Sequence, residues 1–145
     1  MSAAQDKAKL IRVAREVNDS KPGWVIEKVK LAVADYLQAN PNKTAKDVAI
    51  ACFGLAFKPN IDDLRESPSL DIARQLGKSH PGAVWAVEPN IDALPLDEPF
   101  ELVDTVTGLE GANILVLLVD HAQFKTFKSF DFGARAVIDT RGLWC

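Results

Sequence analysis

A chain of 145 residues that is 48% hydrophobic and 26% charged can bury one proper core and is too short for two ordinary domains. Its 17 basic and 20 acidic residues leave a formal net charge of -3, which gives no overall attraction to nucleic acid, so any anion site must come from local placement of a few cations. No apolar stretch approaches the length of a membrane span and the amino terminus has no apolar signal segment; the expected location is the cytoplasm, where the two cysteines, Cys52 and Cys145, form neither a metal-type cluster nor a structural disulfide.

From about Ala3 to Asn18, the apolar residues Leu10, Ile11, Ala14 and Val17 recur at helical spacing, with Lys9, Arg12, Arg15 and Glu16 between them. This pattern predicts an amphipathic helix. The cluster Asp19-Ser20-Lys21-Pro22-Gly23 ends it, and a second helix is expected from about Trp24 to Gln38 on Val25, Val29, Ala32, Val33, Tyr36 and Leu37, stopped by Asn40-Pro41-Asn42. After Lys46 the pattern changes to alternating units: strand 48–53, helix about 68–77, strand about 83–87, short helix near 101–108, strand about 113–119, short helix near 122–128 and strand about 135–139. Strands alternating with helices imply an α/β fold, a parallel sheet with crossover connections.

The end of the first of these strands carries the most information. Val48 to Phe53 is apolar, Gly54 permits close approach at its carboxyl end, and Ser67 reads as an N-cap with Pro68 at the first helical position. Lys58 and Arg65 lie in the loop between. Two fixed cations beside a helix N-terminus at the carboxyl edge of a parallel sheet are the parts needed to hold a diphosphate. The plainer readings are a solvated loop lysine for Lys58, and for Arg65 an ion pair with Glu66 or Asp63.

Other polar residues are weighed in the same way. Asp62 and Asp63 are adjacent, so in extended chain they point apart, and no third ligand is spaced to complete a metal shell; bracing Lys58, Arg65 or the helix start is the better reading. Glu88 follows the second strand of the alternating series, where an acidic residue reads a ribose in a dinucleotide fold, yet the G-x-G-x-x-G that accompanies such a residue is absent. A structural role or a minor ribose contact is expected of it. His121 ends the apolar run 113–119 with no nucleophile beside it, so a loop-capping role is expected. Arg141 leaves the last strand at the same edge, either as a ligand contact or as a surface arginine. Cys52, inside an apolar strand, is expected to be inert.

The segment FGLAFKPNIDDLRESPS (53–69), together with VEPNI (87–91), LVDHAQFK (118–125) and VIDTRGLW (137–144), resembles the C-terminal, nucleotide-sugar-binding domain of the UDP-glucose/GDP-mannose dehydrogenase family. The similarity runs from about Ala14 to the C-terminus. It implies a Rossmann-like parallel sheet sandwiched by helices, with a helical N-terminal arm. It also implies that Phe57, Lys58 and Arg141 bind the UDP-sugar substrate, and that Arg65 touches the phosphates of NAD across an interdomain cleft.

The family oxidises a sugar's primary alcohol with a cysteine in a G-G-x-C-x-P setting and holds NAD on a glycine fingerprint. Neither motif occurs here, so the resemblance implies a chain that binds and does not oxidise, with no catalytic residue and no metal of its own. Residues 1–44 are expected to lead to a missing N-terminal NAD-binding and catalytic region of a homodimer, with 45–145 as the UDP-sugar-binding domain. A free-standing receiver-like or flavodoxin-like module is the reading from another class. It would need a phosphoacceptor Asp at a central strand edge, whereas Asp62 and Asp63 lie in a loop.

Overall fold

The computed structural model describes residues 10–12, 22–56, 64, 67–94, 97–126 and 135–140. Its centre is a six-stranded, wholly parallel sheet. The strands are β1 (Leu10–Arg12), β2 (Ile50–Phe53), β3 (Val84–Val87), β4 (Glu101–Leu102), β5 (Ile114–Leu117) and β6 (Ala136–Asp139), in the order β1-β6-β5-β2-β3-β4.

Strands β2 and β5 are apolar at every position because both of their faces are covered. The period of two sorts them. Ile50 and Cys52 on β2, Ile114 and Val116 on β5, and Ile138 on β6 enter one apolar cluster; Ala51, Phe53, Leu115, Leu117 and Val137 enter the other. Against the first face pack α1 (Pro22–Ala39), through Val25, Ile26, Val29 and Ala32, and α2 (Pro68–Ser79), through Leu70, Ile72, Ala73 and Leu76. Against the second pack α3 (Thr105–Gly111), by Leu109, and the 3-10 turn Ala122–Thr126, by Phe124. The result is the expected α/β sandwich. The second helix, expected from about Trp24 to Gln38, runs over Pro22–Ala39 and is one of its covering layers.

Two expectations change. The helix read over about 3–18 gives way at Leu10–Arg12 to a strand in parallel register with β6, pairing Leu10 with Val137, Ile11 with Ile138 and Arg12 with Asp139. The outer edge of β6 offers a ladder of hydrogen bonds, and a short stretch with a β-branched residue gains more from it than from a few residues of helical periodicity. Residues 3–9 and 13–18 lie outside the described residues. The short helix expected near 101–108 is a strand followed by a helix. Asp104 is the N-cap of α3, its carboxylate accepting from the Thr107 N–H at 2.7 Å, so helix cannot extend upstream of it, and Glu101–Leu102 pair instead with Trp85–Ala86.

The connectivity defines where a ligand can sit. From β2 the chain steps outward to β3 and β4, then returns to the other side of β2 for β5 and β6. Strand order therefore reverses between β2 and β5, the switch point of a doubly wound sheet, with its crevice at the carboxyl ends of the strands. Among the described residues no helix is long and apolar enough to cross a membrane.

Candidate functional site

At the carboxyl end of β2 the chain turns sharply at Gly54, whose φ is +102°. The turn is packed against the neighbouring strand's exit: a Cβ on Gly54 would lie 2.6 Å from Val119 Cβ and 2.9 Å from Val119 N. Phe53 carbonyl oxygen accepts from the N–H groups of Leu118 at 2.9 Å and Val119 at 3.2 Å, and the Gly54 N–H donates to Val87 O at 2.8 Å. The exits of β2 and β5 are thereby held close together by main chain.

Beyond Gly54, both main-chain groups of Leu55 are held by side chains. Its N–H donates to Glu88 Oε1 at 2.8 Å, and its carbonyl accepts from Ser67 Oγ–H at 2.6 Å. The N–H of Ala56 also goes to Glu88 Oε1, at 3.0 Å. Ser67 is the N-cap of α2, with Pro68 behind it, and its Oγ accepts from the Leu70 N–H at 3.3 Å. The helix start predicted from Ser67-Pro68 is thus present and tied to the strand end.

Glu88 is buried, 2% exposed, and is met by His121, which is fully buried, through His121 Nε2 to Glu88 Oε1 at 2.8 Å. These residues follow β3 and β5, the two strands that flank β2, so the pair closes across its end. Glu88 Oε2 accepts from the Asn90 N–H at 3.1 Å, Asn90 Nδ2 lies 3.3 Å from His121 Nδ1, and Gln123 Nε2 donates to Asn90 Oδ1 at 3.2 Å. With Asn90 donating to Nδ1, the proton of the His121 ring sits on Nε2 and points at the carboxylate. Burial pushes the Glu88 carboxyl up, but the hydrogen bonds from His121 and from the Leu55 and Asn90 N–H groups outweigh it and hold the group below the usual glutamate value. Glu88 is therefore a fixed internal anion.

This geometry settles the fit of a dinucleotide at this edge. In a doubly wound sheet the first βα turn offers its main-chain N–H groups to a pyrophosphate. Here the N–H groups of Leu55 and Ala56 are taken by a carboxylate of the same chain. The described N–H groups of the β2 turn, those of Leu55 and Ala56, do not fit NAD in that manner.

Phe57, Lys58, Arg65 and Arg141, with Asp62 and Asp63, lie outside the described residues. The described main chain leading to them is well fixed. Lys58 follows the clamped Leu55–Ala56 pair, and Arg141 follows Thr140, whose hydroxyl donates to Leu117 O at 2.7 Å and whose N–H donates there at 3.2 Å. Phe53, Leu117 and Asp139 are in register across β2, β5 and β6, so the ends of β2 and β6 stand two strand spacings apart, about 10 Å. The Glu88–His121 pairing escapes a reading of the residues one at a time, because only the strand order brings β3 and β5 to either side of β2. Asn90 and Gln123 carry no sequence signal beyond lying after those strands. Among the described residues no group of three or more His, Cys, Asp or Glu side chains is placed to hold a metal ion.

Comparison with known proteins agrees with this architecture. The UDP binding domain of the UDP-glucose/GDP-mannose dehydrogenase family matches residues 51–144. The chain is similar to UDP-N-acetyl-D-mannosamine dehydrogenase of Yersinia pestis, 52% identical over 94% of this chain and 33% of that protein. It is also similar to NDP-N-acetyl-D-galactosaminuronic acid dehydrogenase of Ralstonia solanacearum, 46% identical over 99% of this chain and 32% of that one. Among solved structures, the UDP-N-acetyl-mannosamine dehydrogenase Cap5O from Staphylococcus aureus superimposes with a TM-score of 0.65 at 27% identity, over 90% of this chain and 29% of that one. The chain spans about a third of the length of the relatives it matches. Matched along most of its length by that domain, the chain belongs to the UDP-glucose/GDP-mannose dehydrogenase family.

Proposed function

We propose that this chain is the UDP-sugar-binding part of an NAD-dependent UDP-N-acetyl-D-mannosamine 6-dehydrogenase that makes a uronic acid for surface polysaccharide. Residues 45–145 grip the nucleotide-sugar, and residues 1–44 lead to the part of a homodimeric, cytoplasmic enzyme that holds NAD and the oxidising cysteine. Identity of about half with relatives bearing that name supports the choice of sugar. The related sugar named for the Ralstonia relative keeps another UDP-HexNAc as the alternative substrate.

The observation that carries the binding reading is the register Phe53–Leu117–Asp139, which brings the strands leading to Lys58 and to Arg141 to one sheet edge. Phe57 and Lys58 hold the nucleotide-sugar on one side and Arg141 on the other, and their contribution is electrostatic positioning. Arg65 reaches the phosphates of NAD bound by the remainder of the enzyme. Because the Leu55 and Ala56 N–H groups are taken by Glu88 and the catalytic-cysteine motif does not occur in the sequence, no step of the oxidation is assigned to this chain.

Titration calorimetry with UDP tests the reading. The chain is expected to bind UDP weakly, and more weakly as salt is added. Lys58→Ala and Arg141→Ala are each expected to cost about 1.5–3 kcal/mol, the range for a hydrogen bond to a charged group, with Arg65→Ala mattering less for UDP. No NAD reduction is expected with any UDP-sugar. Equal UDP binding by the wild type and by the Lys58 and Arg141 variants would remove the cradle, and measured turnover by this chain would refute the division of labour.

A further inference from the structure

The turn after β2 has its anion built in. In a doubly wound sheet, the N–H groups of the first βα turn are ordinarily left for a ligand's phosphate, and an empty site leaves them to water. Here Glu88 Oε1 receives three donors at once, the Leu55 N–H at 2.8 Å, the Ala56 N–H at 3.0 Å and His121 Nε2–H at 2.8 Å. Glu88 comes from the end of β3 and His121 from beyond β5, so the carboxylate joins both neighbours of β2 to the chain leaving it. The Ser67 hydroxyl on Leu55 O fixes the opposite face of the same peptide run. Every described buried side-chain polar atom in the molecule has a partner, so this network is complete as it stands.

A buried carboxylate is costly to hold, and an apolar residue at this position would leave three main-chain N–H groups, those of Leu55, Ala56 and Asn90, without this acceptor. The residues so fixed immediately precede Phe57 and Lys58. We infer that Glu88, kept in place by His121, is a positioning residue for nucleotide-diphosphate binding. It takes the phosphate's place at the β2 turn and sets the path of Leu55–Ala56, so that the ligand diphosphate is met farther along the chain. The inference rests on the UDP-binding reading above.

The test uses the 145-residue chain, UDP as the probe and calorimetry as the readout, with Glu88→Gln and His121→Gln beside the wild type. Glu98→Gln, which loses an ion pair with Arg74 ahead of β4 at the opposite end of the strands, controls for stability loss alone. Glu88→Gln is expected to weaken UDP binding about tenfold, equivalent to roughly 1.4 kcal/mol, while Glu98→Gln binds as the wild type does. His121→Gln is expected to lose about threefold, an effect near 0.65 kcal/mol on the same scale; it carries the test if Glu88→Gln does not fold. Unchanged UDP affinity in Glu88→Gln, or in His121→Gln where Glu88→Gln is unfolded, overturns the inference and leaves the binding reading intact. Absence of UDP binding by the wild type overturns both.

Discussion

The Ser67 hydroxyl donates a 2.6 Å hydrogen bond to the carbonyl oxygen of Leu55, so the chain leaves β2 and enters α2 at a single point. Ser67 Oγ in turn accepts from the Leu70 N–H, giving one buried side chain two duties, helix cap and loop clasp. Ser67→Ala is therefore expected to cost more than an ordinary cap, about 1–3 kcal/mol, because a buried carbonyl loses its donor as the helix loses its acceptor. Urea unfolding measures it. A cost of a few tenths would mean that water replaces both bonds.

Two glycines should respond to alanine with opposite signs. At Gly54 the backbone has φ +102° and the added Cβ would stand 2.6 Å from Val119 Cβ, so strain and overlap combine to cost about 3 kcal/mol or more. Gly23, in the first turn of α1, has open space where a Cβ would go, with nothing within 4 Å, and alanine there should stabilise by up to about 1 kcal/mol through helix propensity. Thermal denaturation of the two variants decides it. Equal shifts would show that the close approach at Val119 relaxes freely.

The Arg74–Glu98 pair makes a pH-dependent contribution. Arg74 Nε and Nη2 donate to the two Glu98 oxygens at 2.7 Å each, and this guanidinium holds the Glu98 carboxyl below the usual glutamate value, with burial working against it. A carboxyl lowered in the folded state contributes stability that is fully present above its unfolded value, about 4.3, and is lost as pH falls through the folded one. The Arg74 side chain is 37% exposed, so the contribution is discounted for solvent to about 1 kcal/mol. The wild-type advantage over Glu98→Gln, from urea midpoints, is expected at pH 7 and should vanish toward pH 3. A gap that widens on acidification would contradict the assignment.

Cys52 should be chemically silent in the folded chain. It is fully buried on β2, and burial pushes its thiol up to about 12, leaving almost no thiolate at neutral pH. Iodoacetamide at pH 8 followed by peptide mass spectrometry is expected to leave Cys52 unmodified, and to modify it once denaturant is added. Rapid labelling of the native chain would mean that the sheet opens at β2.

What the sequence determined by itself is local: the apolar runs of β2, β3, β5 and β6, the helix Pro22–Ala39, the Ser67-Pro68 helix start, the strand end at Gly54 and the inertness expected of Cys52. Each is written in a few consecutive residues, through periodicity, caps and turn chemistry, and short-range physics decides them. Tertiary structure decided the rest. Leu10–Arg12 forms a strand only because β6, at the far end of the chain, presents an open edge, and Glu101–Leu102 only because β3 does the same. The Glu88–His121 pair, separated by 33 residues, exists because strand order places β3 and β5 on either side of β2, a fact that no local pattern encodes. A carboxylate and an imidazole that read separately as minor loop residues become one buried anion site, since their meaning depends on the main chain brought between them.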